Sequence, residues 1–256
     1  MPAIPALIQR QASLLVFLVV LLIWEFTCRF AQVPEYIFPA PSVIWSAAAE
    51  LGATRWLEHA MATLEVALVG YAVAIALAIP LAIAITRSQV LSRIIMPWLV
   101  VIQSTPIVAV APIIVVTLGA GMLPRVVITT LIAFFPLVVS TALGLASVPA
   151  ELVELSRSLR ATTSRQYWQI RMPFAVPYVF SALKVSITLA IVGAVVAEFV
   201  AAEKGLGYLI LFATSSFKVP VAFAALGLLV LCSLTLYAIV QQLHKRLFPW
   251  SQSTAA

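Results

Sequence analysis

Six apolar runs, residues 13–30, 62–85, 94–118, 126–146, 176–201 and 219–243, constrain this chain more than any other feature. A helix that crosses a bilayer needs about 20 mainly apolar residues, and each run is close to that. The runs are continuous rather than alternating, which argues against a membrane β-barrel. Pro80, Pro106, Pro112 and Pro136 fall inside them. Membrane helices tolerate proline when neighbouring groups satisfy the freed backbone. Only 9% of residues are charged and 63% are hydrophobic, against about 25% charged in soluble domains. The expected fold class is therefore all-α integral membrane protein, a single transmembrane domain over residues 1–256.

The N-terminus starts like a signal peptide, with Arg10 followed by an apolar run. The run continues through Trp24 with no small-residue cleavage pattern behind it, so it reads as an uncleaved first helix. Sidedness follows from the cations. With the N-terminus inside, the inner segments hold Arg10, Arg87, Arg93, Arg157, Arg160, Arg165, Arg171, Lys245 and Arg246. The outer ones hold Arg29, Arg55, Arg125, Lys204 and Lys218. That bias predicts a multi-pass protein with both termini in the cytoplasm. Lys184 lies within the fifth run and can snorkel inward. The first outer segment begins extended because of Pro34, Pro39 and Pro41, and 42–57 reads as a short surface helix. Ala74, Ala78 and Ala82, and likewise Gly193, Ala197 and Ala201, recur at spacing four, which suits close helix packing in lipid.

The placement of charge narrows the mechanism. The third, fourth and sixth runs have no charged side chain in their cores, and the chain has no aspartate. Glu25, Glu65 and Glu198 fall toward the outer ends, with Glu25 and Arg29 spaced to pair. Ion-coupled carriers usually keep ionisable groups near the midplane. No glycine-rich phosphate loop is present, so ATP must be handled by another subunit. Cys28, Cys232, His59 and His244 stand apart and suggest neither a metal site nor a disulfide framework. No basic run suits nucleic acid. Open readings are a transporter energised by a separate ATPase, a secondary carrier or channel, a membrane enzyme, and a membrane scaffold. An enzyme would need a nucleophile, base or metal cluster, and only Glu151 and Glu154 are paired near an interface.

The longest inner segment, 147–175, is also the most polar. Within it the sequence ELVELSRSLRATTSRQYWQIRMP spans 151–173. Leu152, Leu155 and Leu159 fall on one helical face. Thr162, Thr163 and Ser164 are helix-capping types. Two short amphipathic helices with a corner between them are predicted, the second ending at Pro173.

This segment resembles the EAA loop of permeases in binding-protein-dependent ABC importers. Glu154 stands at the family glutamate, Leu155 and Ser156 at its two alanines, and Arg160 at its glycine. Ile170, Met172 and Pro173 stand at its isoleucine, leucine and proline. The spacing is kept, but Arg160 is a departure: glycine permits a backbone angle there that arginine does not adopt easily, which leaves the corner geometry and the strength of coupling open. The likeness continues through IFPAPSVIW at 37–45, TLEVALVGYAVA at 63–74, QSTPIVAVAPIIV at 103–115, AFFPLVVST at 133–141 and AVVAEFVAAEKGLGYLI at 194–210. It is similar to the nitrate, sulfonate and taurine branch, with segments closer to riboflavin and thiamine-precursor pyrimidine permeases.

The resemblance implies a bacterial inner-membrane permease, not itself an enzyme, that forms a translocation pathway with a second permease copy in a homodimer or heterodimer. ABC ATPase subunits would carry ATP and magnesium, with no cofactor on this chain, and membrane lipid would surround it. An extracytoplasmic substrate-binding protein would deliver a small solute. The coupling loop would be formed by Glu151, Leu152, Glu154, Leu155, Ser156, Leu159, Arg160, Ile170 and Pro173, with the leucines packing into the ATPase. Candidate pathway or gate residues are Gln103, Ser104, Thr105 and Pro106, then Glu198, with Gly205 and Gly207 as a flexible outer turn.

Overall fold

With no water in a bilayer core to satisfy backbone amides, apolar runs must close their hydrogen bonds internally. The computed structural model describes residues 6–252, and these are helical with no strand among them. The termini, whose sidedness the charge bias assigns, lie outside the described residues. The elements are α1 (Ala6–Phe30), α2 (Pro41–Leu51), α3 (Ala53–Arg87), α4 (Gln89–Ser104), α5 (Ile107–Leu118) and α6 (Met122–Ala146). Then follow α7 (Ala150–Ser158), α8 (Thr163–Gln166), a π turn (Tyr167–Arg171), α9 (Met172–Ala201), α10 (Leu206–Ser215) and α11 (Val219–Leu247), with a 3-10 turn over Pro249–Gln252. Among the described residues four helices are long and apolar enough to cross a membrane, and α4 with α5 makes a fifth if the bent pair is one span. α1, read as the first span, is 25 residues long.

The centre is a three-helix core of α3, α6 and α9, and small residues let those helices touch. Ala74, Ala78 and Ala82 are fully buried, as are Ala190 and Ala197. Thr129 of α6 sits where all three meet. A Cβ on Gly70 of α3 would lie 2.5 Å from its Cγ2, and one on Gly193 of α9 would lie 2.8 Å from its Cα. Thr130 then donates to the Gly70 carbonyl at 3.1 Å. The small-residue spacing therefore marks real contact faces, although Ala201 is only half-buried. α11 packs against α9, α10 and α2. The Glu25–Arg29 pair forms, and Glu25 also accepts from the Ser42 backbone at 3.0 Å, joining α1 to the start of α2.

Three expectations are corrected. The third run is not one helix: α4 and α5 meet at 96°. Pro106 has no N–H to continue α4, and Thr105 before it is pushed to extended geometry, φ −79° and ψ 124°. Ser104 and Thr105 hydroxyls donate to the carbonyls of Val100 and Val101, at 2.8 and 2.9 Å, and so close the end of α4. The surface helix over 42–57 stops at Leu51, because Gly52 at φ +81° turns the chain and α3 begins at Ala53. The second corner helix does not end at Pro173. It passes through the π turn, where Met172 N–H reaches Tyr167 O, and this wider turn makes room for the proline ring. The rod Thr163–Ala201 is continuous over 39 residues, roughly 58 Å at the helical rise.

Candidate functional site

Chain direction places α7 and α8 at one end of the bundle, here the corner end, and the α9–α10 turn at the other, the far end. At the corner, α7 finishes in a Schellman motif. Ala161 N–H reaches Ser156 O and Arg160 N–H reaches Arg157 O, both at 2.9 Å, with Arg160 itself at φ +52°. The arginine therefore takes the left-handed turn that glycine would take, which answers the question that its departure from the motif left open. Its side chain is exposed and meets no obstacle, so the cost is backbone strain of about 1–2 kcal/mol and nothing steric.

Thr162 caps α8 by accepting from Arg165 N at 3.3 Å. Buried Gln166 donates to buried Ser156 Oγ at 3.1 Å, and Ser156 Oγ in turn donates to Val153 O at 2.7 Å. This chain of bonds fixes the angle between α7 and α8. The guanidinium groups of Arg87 and Arg171 lie over the Tyr167 ring at 4.8 and 5.1 Å. Arg171 also donates to the Leu145 carbonyl at 2.9 Å, satisfying the last turn of α6. The corner is thus fastened to α3, α6 and α9 together. Its outer surface is different. Leu152, Leu155 and Leu159 are 37%, 55% and 74% exposed, and Glu151 and Glu154 form no ion pair among the described residues. Ile170 and Pro173 are half-buried at the base of the rod.

At the far end, the backbone amides at the start of α10, which have no partner within the helix, are taken by three side chains. Gly205 N–H donates to His59 Nδ1 at 3.1 Å, Leu206 N–H to Thr63 Oγ1 at 2.8 Å, and Gly207 N–H to Glu198 Oε2 at 2.7 Å. His59 and Thr63 stand four apart on α3, and Glu198 is 1% exposed near the end of α9. A buried carboxylate at a helix N-terminus is favoured by the helix dipole as well as by the bond. The glycines follow from this packing. A Cβ on Gly205, at φ +126°, would lie 2.2 Å from Glu198 Cδ, and one on Gly207 would lie 2.8 Å from Oε2. The expected flexible turn is instead a tight cap.

A cleft of about 840 Å³ opens beside the cap, lined by Glu35, Glu50, Arg55, His59, Tyr208 and Lys218 among others. A second, of about 600 Å³, holds Glu65, Arg125 and Glu203. Lys204, which lines the second, pairs with Glu58, which lines the first, and this bond holds the exposed Lys204 ammonium above the usual lysine range. Gln103, Ser104, Thr105 and Pro106 stand apart on the α4–α5 bend, exposed and forming no hydrogen bond with this cluster among the described residues. The capping role of His59, which stands apart in the sequence, and the roles of Thr63, Gln166 and Tyr167 are not evident from the sequence. The four-residue spacing of His59 and Thr63 was the available signal.

Comparison with known proteins agrees with these features. The family model described as the inner membrane component of binding-protein-dependent transport systems matches residues 72–249. A probable ABC transporter permease of Haemophilus influenzae is 32% identical, over 95% of this chain and 99% of its own. The formylaminopyrimidine transport permease ThiX of Halalkalibacterium halodurans is 32% identical, over 94% and 96%. The riboflavin transport permease RibX of Chloroflexus aurantiacus is 33% identical, over 92% and 88%. In fold, the chain is similar to one in an inward-facing structure of the MetNI methionine ABC transporter, with TM-score 0.64 and 20% identity over 73% of this chain and 93% of that one. The carrier, channel, enzyme and scaffold readings fall away: the chain belongs to the inner-membrane permease family of binding-protein-dependent ABC transporters, whose ATPase is a separate subunit.

Proposed function

We propose that the leucine edge of α7 is the seat of the partner ATPase and that the far-end cap is the gate it moves. The carrying observation is a contrast along α7 and its C-cap, Leu159. Ser156 is buried and bonded into the bundle, while Leu152, Leu155 and Leu159 face solvent on an otherwise charged surface. Apolar side chains displayed this way on a rigid element suit a protein groove. Unpaired Glu151 and Glu154 beside them supply polar contacts to the partner. Because α8, the π turn and α9 form one rod, displacement at the corner reaches Glu198, and through it α10 and α3.

On this reading the corner end, with Arg87, Arg93, Arg157, Arg160, Arg165, Arg171, Lys245 and Arg246, faces the cytoplasm. Both termini lie on that side. ATP and magnesium bind in the partner. An extracytoplasmic binding protein presents a small solute at the far end, where the two clefts open. A second permease copy completes the pathway, and the bent α4–α5 arm with Gln103, Ser104, Thr105 and Pro106 lines it. The names of the ThiX and RibX relatives put small nitrogen heteroaromatic solutes first among cargoes to test.

The test is ATP hydrolysis by the reconstituted complex, with and without binding protein. Leu155→Asp should abolish stimulation by the binding protein, and Glu154→Ala should weaken it, with membrane insertion intact. Hydrolysis indifferent to both substitutions would remove α7 as the seat.

A further inference from the structure

A separate cavity of about 350 Å³ lies at the corner end, where the rod begins and the C-terminal turn folds back. Trp168, Val176 and Phe180 line one side and Trp250 the other, with Ile79 and Thr141 contributing from the core helices. The lining is apolar except at one point. Thr141 is fully buried, and its Oγ1 has no hydrogen-bond partner among the described residues. A buried hydroxyl without a partner is costly, so a ligand acceptor in this cavity would be favoured.

The surroundings say what kind of ligand. Trp168 and Trp250 are 64% and 55% exposed at the mouth, and tryptophan in a membrane protein marks the headgroup level. Lys245 and Arg246 are exposed in the last turn of α11, and Arg165 is exposed on α8. None of these cations pairs with a carboxylate among the described residues. An apolar slot opening at headgroup depth beside unneutralised cations matches a lipid of negative charge.

The geometry points to a seat for one anionic phospholipid. An acyl chain fills the cavity, an ester carbonyl accepts from Thr141 Oγ1, and the phosphate meets Lys245, Arg246 and Arg165. The lipid would wedge between the base of the rod and the C-terminal turn. This goes beyond the transport reading and does not depend on it.

Native mass spectrometry of the full chain, delipidated in detergent and titrated with phosphatidylglycerol or phosphatidylcholine, tests the seat. Saturable retention of phosphatidylglycerol over phosphatidylcholine is expected. Thr141→Val should lower phosphatidylglycerol affinity about fivefold, the worth of one hydrogen bond, while Thr141→Ser keeps it. Val176→Phe, which fills the cavity, should lower it further. Lys245→Gln with Arg246→Gln should erase the preference between the two lipids. Equal retention of both lipids by the unaltered chain overturns the proposal. So does a Thr141→Val variant that binds like Thr141→Ser, and this pair decides the matter even if Val176→Phe fails to fold.

Discussion

The two ends of the molecule solve the same backbone problem with opposite residues. At the corner a left-handed residue ends α7, and it is Arg160 at φ +52°. At the far end a positive-φ residue starts α10, and it is Gly205 at φ +126°. What separates them is the neighbour. Nothing crowds Arg160, whose side chain is exposed, so an L-residue is tolerated for a modest conformational cost. Gly205 lies against Glu198, and no Cβ fits between them. A glycine position in a family motif can thus record either a dihedral preference, which is negotiable, or a close approach, which is not. Gln32 and Phe217, at φ +49° and +57°, end α1 and α10 in the same negotiable way.

The largest effect should come from forcing a Cβ into the far-end cap. Gly205→Ala should cost about 3 kcal/mol, the upper range for overpacking, read as a large drop in thermal stability of the purified complex. The cause can be isolated. If the carboxylate is the obstacle, Glu198→Ala should recover much of the loss in the double variant, and the pair should be strongly non-additive. Additive losses would mean that backbone strain alone restricts position 205 and that the contrast between the two ends is one of degree.

Glu198 alone comes next. Glu198→Ala removes the acceptor for the Gly207 amide and leaves it buried, at a cost of about 2 kcal/mol. Glu198→Gln retains a carbonyl oxygen in the same place and should lose much less. Its melting temperature tells whether the cap needs an acceptor or a negative charge. If Gln behaves like Ala, the dipole interaction with α10 outweighs the hydrogen bond.

Most of the corner was legible because its signals are local. Leucines at helical spacing, capping threonines and the glutamate all act within one or two turns of the chain. The Ser156–Gln166 bond spans ten residues and could not be read from either residue. The far-end cap was less legible still. His59 and Thr63 are separated from their partners by 146 and 143 residues, and only the packing of α3 on α9 and α10 brings them together. The α4–α5 bend failed for another reason. Pro80, Pro97, Pro112 and Pro136 all remain inside helices, so proline alone does not mark a break. At Pro106 the preceding Ser104 and Thr105 offer hydroxyls that close the helix end, and that combination tips the balance. Apolar runs can be read from the sequence, whereas the angles within and between the helices they form cannot, as the 96° bend between α4 and α5 illustrates.

The smallest effect has the opposite sign. Arg160→Gly should stabilise the corner, since it relieves about 1–2 kcal/mol of left-handed strain against up to about 1 kcal/mol of extra freedom in the unfolded chain. The net gain should be about 0.5 kcal/mol, a rise of roughly 1–2 °C in melting temperature for a chain of this size. Phe217→Gly is the matched control. Phe217 shares the dihedral but meets Tyr36 edge-on at 6.5 Å between ring centroids, so its removal should cancel any backbone gain. A rise at 160 with none at 217 would show that the corner arginine is held at the expense of stability. ATP hydrolysis by the complex would then say what the arginine is kept for. Coupling that weakens in the more stable Arg160→Gly variant would assign its exposed guanidinium to the ATPase contact.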